Sequence, residues 1–113
     1  MKFSDNLEIL EPAPWKFHLS QNYPNPFSDK TVIKYCVAFK TRVKLTVFDP
    51  HGKVIQKLVD REQSPGTYEI EFSAGHSRES NDPDGVIYFY RLDAGDYRSE
   101  KKMSLQKFSE RRL

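Results

Sequence analysis

Hydrophobic and polar positions along most of this chain alternate with the two-residue period of β-strands. The alternation is clearest in residues 31–37, 42–48 and 68–72, which are rich in β-branched and aromatic residues. Each segment therefore predicts a strand with one face toward a core. The apolar residues predicted to face inward are Ile33, Tyr35, Val37, Val43, Leu45, Val47, Tyr68, Ile70 and Phe72.

Two further segments depart from strict alternation. Residues 53–59 predict a strand of weaker pattern, because Ile55 and Leu58 interrupt the period. Residues 86–92 are apolar on both faces and predict the most buried strand of the fold.

A short edge strand over residues 17–19 and a last strand over residues 97–105 complete the series, with Met103 and Leu105 directed to the core. About seven short strands separated by turns, without helical periodicity, predict an all-β protein. The expected architecture is an Ig-like antiparallel β-sandwich.

Proline, glycine and aspartate mark the connections between strands. Asp49-Pro50-His51-Gly52 matches a type I turn, and Ser64-Pro65-Gly66-Thr67 predicts a type II turn with a positive φ at Gly66. Gly85 ends another turn after a long polar loop that begins at residue 73. Ala94-Gly95-Asp96 predicts a tight hairpin.

The segment Asn22-Tyr23-Pro24-Asn25-Pro26-Phe27 predicts a rigid, extended corner at the start of the folded module. Its two prolines fix φ, cannot donate to a sheet and so exclude a central strand. Tyr23 and Phe27 are expected to anchor the corner in apolar surroundings, while Asn22 and Asn25 bond nearby backbone groups. Trp15 and Phe17 are expected to cap the core.

Length, charge and cysteine content limit the number of domains and the classes of function that the chain can have. The chain has 113 residues, which suits one domain, and its net charge of +2 does not indicate nucleic-acid binding. Its single cysteine, Cys36, cannot form an internal disulfide, and no apolar run is long enough to span a membrane. We expect residues 1–16 to be a linker or remnant without an export signal, residues 17–107 the sandwich and residues 108–113 a basic tail.

The residues that could carry chemistry are scattered. His18, His51 and His76 lack metal-ligand spacing, and Cys36 has no evident base beside it. We therefore predict no catalytic residues, no metal site and no cofactor. Two alternatives stay open at this point: calcium binding by Glu79, Asp82 and Asp84, and sugar stacking by Tyr88, Phe89 and Tyr90.

Leu19 to Phe27, followed by residues 31–35, resembles the opening of the C-terminal sorting domain of the type IX secretion system. The resemblance continues in order through about residue 107. The later matching blocks are residues 47–54, 58–60, 65–68, 85–92, 94–96 and 101–103.

This resemblance implies a non-enzymatic Ig-like module that directs an attached cargo from the periplasm to the cell surface or the medium. Its implied partners are outer-membrane translocon components of the type IX system. The implied recognition residues lie in the last strands and basic end: Gly95, Tyr97, Lys101, Lys102, Met103, Leu105 and Lys107.

The same blocks are similar to the Ig-like module of the flagellar hook-capping protein. That similarity leaves a structural or accessory interaction module, or a carbohydrate-binding accessory domain, as the alternative. The chain continues beyond Lys107, where the family usually stops. We therefore expect either a piece of a larger protein or a small standalone relative.

Overall fold

The computed structural model describes residues 14–74 and 86–106, and within them it contains seven β-strands and no helix. Their bounds are β1 His18–Leu19, β2 Lys30–Val37, β3 Thr41–Phe48, β4 Val54–Gln63, β5 Gly66–Ser73, β6 Val86–Ala94 and β7 Tyr97–Leu105.

The strands form two antiparallel sheets that pack as a sandwich. One sheet has the order β1-β2-β5 and the other the order β4-β3-β6-β7. Consecutive strands β6 and β7 make a hairpin, whereas β4 and β5 are consecutive in the chain but lie in different sheets. The predicted all-β, Ig-like sandwich is therefore confirmed.

The core lies between the inner faces of the two sheets. The predicted inward residues of β2 and β3 are all buried, while Tyr68 and Ile70 of β5 are half-buried and pack against the core. Among the described strands, β6 alone has no exposed residue, which agrees with its apolar sequence on both faces. Met103 and Leu105 are buried, as predicted.

Strand β4 is longer than predicted and runs to Gln63 at one edge of its sheet. Its pairing with β3 shifts register twice, so that Ile55 and Leu58 have no partner residue on β3. These are the two residues that interrupt the alternation in the sequence. Each is the extra residue of a β-bulge, and the broken period is thus a structural feature of this edge.

Two of the predicted turns, those after β3 and before β5, have different outcomes. In the turn after β3, the N–H of Gly52 donates to the carbonyl of Asp49 at 3.0 Å, which closes a four-residue β-turn at the predicted position. The backbone N–H groups of Lys53 and His51 donate to the Asp49 carboxylate and lower its pKa. Gly66, in contrast, has φ 159° and begins β5 opposite Val37, so it does not form a type II turn.

The proline segment, residues 21–27, crosses from one sheet to the other. Tyr23 exchanges two backbone hydrogen bonds with Val32 of β2, and Phe27 forms a parallel bridge with Leu105 of β7. Phe27 is buried, as expected, but Tyr23 is 80% exposed. The prediction for Tyr23 was wrong because paired residues share a face, and Val32 lies on the outer face.

Of the two residues expected to cap the core, Phe17 does so and Trp15 does not. Trp15 is 86% exposed, whereas Phe17 is half-buried and packs against the core. Trp15 precedes β1, so no strand pairing directs its side chain inward. The prediction for Trp15 was therefore wrong.

Candidate recognition site at the final hairpin

The hairpin between β6 and β7 has a two-residue turn made by Gly95 and Asp96. Ala94 and Tyr97 are the paired residues that close it. Gly95 has φ 58°, in the left-handed region that residues with a Cβ atom seldom adopt. An added Cβ would meet no atom closer than 3.7 Å, so backbone conformation alone explains the glycine.

Tyr97 belongs to an aromatic cluster at this end of the sandwich, which we define as Phe17, Phe39 and Tyr97. The rings of Phe17 and Tyr97 stack with centroids 5.6 Å apart, and Phe39 meets Phe17 edge-on at 5.0 Å. Phe39 is 57% exposed and does not belong to any of the alternating segments of the sequence. The cluster joins three segments far apart in the chain, which a periodicity analysis cannot reveal.

The other implied recognition residues of β7 point in two directions. Met103 and Leu105 face the core, and Lys101 lies on the same inner side, half-buried, opposite Tyr90. Lys102 lies opposite Phe89 on the outer face and is exposed. Lys107 lies outside the described residues. The site residues therefore separate into core positions and positions accessible to a partner.

The proline segment covers the edge of β7 near its end. The Phe27 N–H donates to the carbonyl of Ser104 at 2.9 Å, and the Ser104 N–H donates to the Asn25 side-chain oxygen at 2.9 Å. The Gln21 amide donates to the carbonyl of Lys102, and the Gln106 N–H donates to the carbonyl of Phe27. The corner and the last strand, separated by about 80 residues, are one structural unit.

Tyr90 fixes the start of the proline segment to the core. Its hydroxyl donates to the carbonyl of Ser20 and accepts from the N–H of Asn22, both at 2.7 Å. Burial raises the pKa of Tyr90 to about 12. The buried Asn22 amide in turn donates to the Pro24 carbonyl and to the Thr31 hydroxyl. Asn22 thus has the backbone-bonding role that the sequence predicted for it.

The outer face of β6 and β7 carries a charged group next to the hairpin. Asp93 accepts hydrogen bonds from Nε of Arg98 at 2.6 Å and Nε of Arg91 at 3.2 Å, and the Arg91 guanidinium lies over the Phe48 ring at 4.7 Å. These side chains border a groove of about 580 Å³ on this sheet. Lys44 lies opposite Asp93 in register, so opposite charges alternate across the strands.

The aromatic run of β6 belongs largely to the core. Tyr88 and Tyr90 are buried on the inner face, and Phe89 is half-buried on the outer one. Three adjacent rings divided between two faces cannot form one stacking platform. This arrangement removes the support that Tyr88 and Tyr90 gave to sugar binding.

The remaining candidate residues for chemistry are the histidines, Cys36 and the acidic residues of the long loop. Within residues 14–74 and 86–106, no three histidine, cysteine or acidic side chains stand together as metal ligands. His18 and His51 are exposed, and the Cys36 sulfur lies 3.7 Å from the Thr67 hydroxyl. His76, Gly85 and the proposed calcium ligands Glu79, Asp82 and Asp84 lie outside the described residues. The described part of the chain also has no helix that could cross a bilayer.

The chain matches a protein-family model. The model of the secretion system C-terminal sorting domain matches residues 21–106, from the proline segment through the end of β7. Comparison with curated proteins and with solved structures returned no significant match. The family match covers most of the chain and all of the strands except β1. The chain therefore belongs to the family of C-terminal sorting domains of the type IX secretion system.

Proposed function

We propose that this chain is a non-catalytic recognition module that directs an attached cargo through the type IX secretion system to the cell surface. The family match over residues 21–106 is the observation that carries the proposal. Its partners are outer-membrane components of the translocon, and the chain contributes a folded surface without chemistry of its own.

The surface offered to the translocon comprises the hairpin turn and the accessible positions of β7. The exposed side chain of Lys102 and the half-buried Lys101 flank the strand on its two faces, and the aromatic cluster lies beside the turn. Met103 and Leu105 support this surface from the core. In this proposal the recognition residues act in two ways, some by contact and some by holding the strand in place.

An export assay tests the proposal. The full 113-residue chain is fused behind a reporter that carries its own signal for transport to the periplasm, in a cell with a working type IX system. We expect the reporter on the cell surface, and we expect it in the periplasm when residues 95–113 are deleted. Periplasmic retention of the intact fusion would contradict the proposal, as would surface delivery of the deleted form.

The paired substitution Lys101→Ala and Lys102→Ala refines this test. Because neither lysine is part of the buried core, the domain should remain folded while export falls. A matched control is Lys34→Ala, which removes an exposed lysine on the opposite sheet. Equal export by all three proteins would show that the lysines of β7 are not recognised.

A further inference from the structure

The edge of β7 that faces away from β6 has two halves. The covered half, from Lys102 to Gln106, is bonded to the proline segment, and the open half, Arg98 to Glu100, is not. The backbone groups of Lys102, Ser104 and Gln106 that bond the proline segment point away from β6. Strand residues alternate in the direction of their hydrogen-bonding groups, and the β6–β7 register is uninterrupted. The N–H and carbonyl groups of Arg98 and Glu100 therefore also point outward.

The open half begins where the proline segment ends. Within the described residues, neither Arg98 nor Glu100 makes an outward backbone hydrogen bond, and the nearest bond of the proline segment is from Gln21 to the Lys102 carbonyl. Strand β1 lies on this side of the molecule, but it pairs with β2 in the other sheet. Among the described residues, the outward backbone groups of Arg98 and Glu100 therefore have no strand partner.

The other two long edges suit strand pairing less well. Strand β4 is interrupted by bulges at Ile55 and Leu58, which disturb the regular spacing of its outward groups. On β5, the outward backbone groups include those of Glu69 and Glu71. Their partners on β2, Lys34 and Val32, direct their own backbone groups away from β5, toward Ser20 and Tyr23. The carboxylates of Glu69 and Glu71 disfavour a partner strand that carries acidic residues, which is the kind of partner that β7 favours.

The open half of β7 has the opposite charge preference. The side chains of Arg98 and Lys102 flank Glu100 on the outer face, and Lys101 lies on the inner face. Arg98 is paired with Asp93 at 2.6 Å, so the charges left to meet a partner are those of Lys101, Lys102 and Glu100. This excess of one cation favours an incoming strand that carries acidic residues. Because the proline segment runs parallel to β7 at Leu105, an added strand would continue the same line of pairing.

We propose that the receptor adds an extended, acidic segment to β7 by main-chain pairing with Arg98 and Glu100, while the proline segment stays in place. The inference rests on the proposed function and specifies how the final strand is recognised. It restricts the contact to the first half of β7, because the second half is already paired. The receptor therefore binds the folded domain and does not unfold its last strand.

Substitution of Glu100 by proline tests the proposal in the export assay. Proline removes only the outward N–H at this position and blocks an added strand, and edge strands tolerate it there. We expect surface delivery to fall by about tenfold or more, which corresponds to about 1.4 kcal/mol of lost binding free energy. Glu100→Ala keeps the N–H and removes the carboxylate that opposes an acidic partner, so export of this variant should not fall.

Glu69→Pro is the matched control, because it places proline at an outward position of an edge strand in the other sheet. Thermal unfolding of both proline variants establishes that they are folded, and Arg98→Pro replaces Glu100→Pro if the latter does not fold. Normal export of the β7 proline variant overturns the inference and leaves the proposed function intact. If Glu69→Pro or Glu100→Ala loses as much surface delivery as Glu100→Pro, main-chain pairing at β7 is overturned. If the unchanged fusion is not delivered to the surface, the proposed function itself is overturned.

Discussion

The hydroxyl group of Tyr90 lies 2.7 Å from the backbone nitrogen of Asn22, and this bond joins β6, an inner strand of the four-stranded sheet, to the proline segment. The same hydroxyl donates to the carbonyl of Ser20, so one side chain satisfies two backbone groups. Such a bond from a core tyrosine to an irregular segment resembles the tyrosine corner of Ig-like domains in its chemistry. It ties the segment that covers β7 to the sandwich core.

Replacing Tyr90 by phenylalanine should destabilise the domain by about 1–3 kcal/mol, because the buried N–H of Asn22 and the carbonyl of Ser20 lose their partner. Chemical denaturation measures the change. Tyr68→Phe is the control, since the Tyr68 hydroxyl bonds the Ser64 carbonyl at an exposed position and its loss should cost little. Equal stabilities of the two variants would show that the Tyr90 hydroxyl contributes no more than the exposed hydroxyl of Tyr68.

The stability contributed by Tyr90 should depend on pH in the alkaline range. Its pKa is raised to about 12 by burial, above the ordinary value of 10.0, so the folded state retains the phenolic proton more tightly than the unfolded state. This contribution is complete below pH 10 and is lost as the pH rises toward 12, with a slope of at most about 1.4 kcal/mol per pH unit. Denaturation of the native and Tyr90→Phe proteins from pH 9 to 12 should show the difference in unfolding free energy shrinking. If the difference in unfolding free energy between the two proteins stays constant over this pH range, burial of Tyr90 does not make stability depend on pH.

The alternation in the sequence was sufficient to predict which residues of β2, β3 and β5 face the core, because strand periodicity depends only on neighbours in the chain. It also identified Ile55 and Leu58 as irregular, and both lie at bulges. Tyr23 was placed wrongly because its face depends on pairing with Val32.

The candidate site was less predictable than the fold. The proline segment is held over β7 by hydrogen bonds such as the one from Ser104 to Asn25, two residues that lie 79 positions apart in the chain. No local pattern contains that information. The aromatic cluster could not be predicted for the same reason, since Phe39 lies in the connection between β2 and β3 and meets Phe17 only in the folded chain.

Asn25→Ala should open the end of β7 without unfolding the domain. The Asn25 side-chain oxygen accepts from the Ser104 N–H at an exposed position, so its loss affects local opening more than global stability. We expect faster hydrogen exchange at Ser104 and little change in Tm. Asn25→Asp keeps an acceptor oxygen and serves as the control; the same exchange rate at Ser104 in all three proteins would exclude this bond as a local restraint.

Two neighbouring positions of β7 should respond differently to alanine. Met103 is fully buried, and its truncation should cost about 2–5 kcal/mol through lost apolar burial and the cavity left behind. Lys102 is exposed, and its truncation should change stability by less than about 0.5 kcal/mol. Thermal unfolding distinguishes them, and a large loss at Lys102 would mean that it supports the fold and is not free to contact a receptor.

Gly95→Ala should destabilise the hairpin through its backbone alone. The φ of 58° costs a residue with a Cβ atom roughly 1–2 kcal/mol, while the nearest atom to an added Cβ, the Thr41 hydroxyl oxygen, lies at an ordinary contact distance of 3.7 Å. Gly95→Asn should cost less, since asparagine adopts this conformation more readily. Denaturation of the two variants measures the order. If asparagine destabilises as much as alanine, the cause is side-chain crowding against Phe39 and Thr41; if neither variant loses stability, the positive φ is not what requires glycine at this turn.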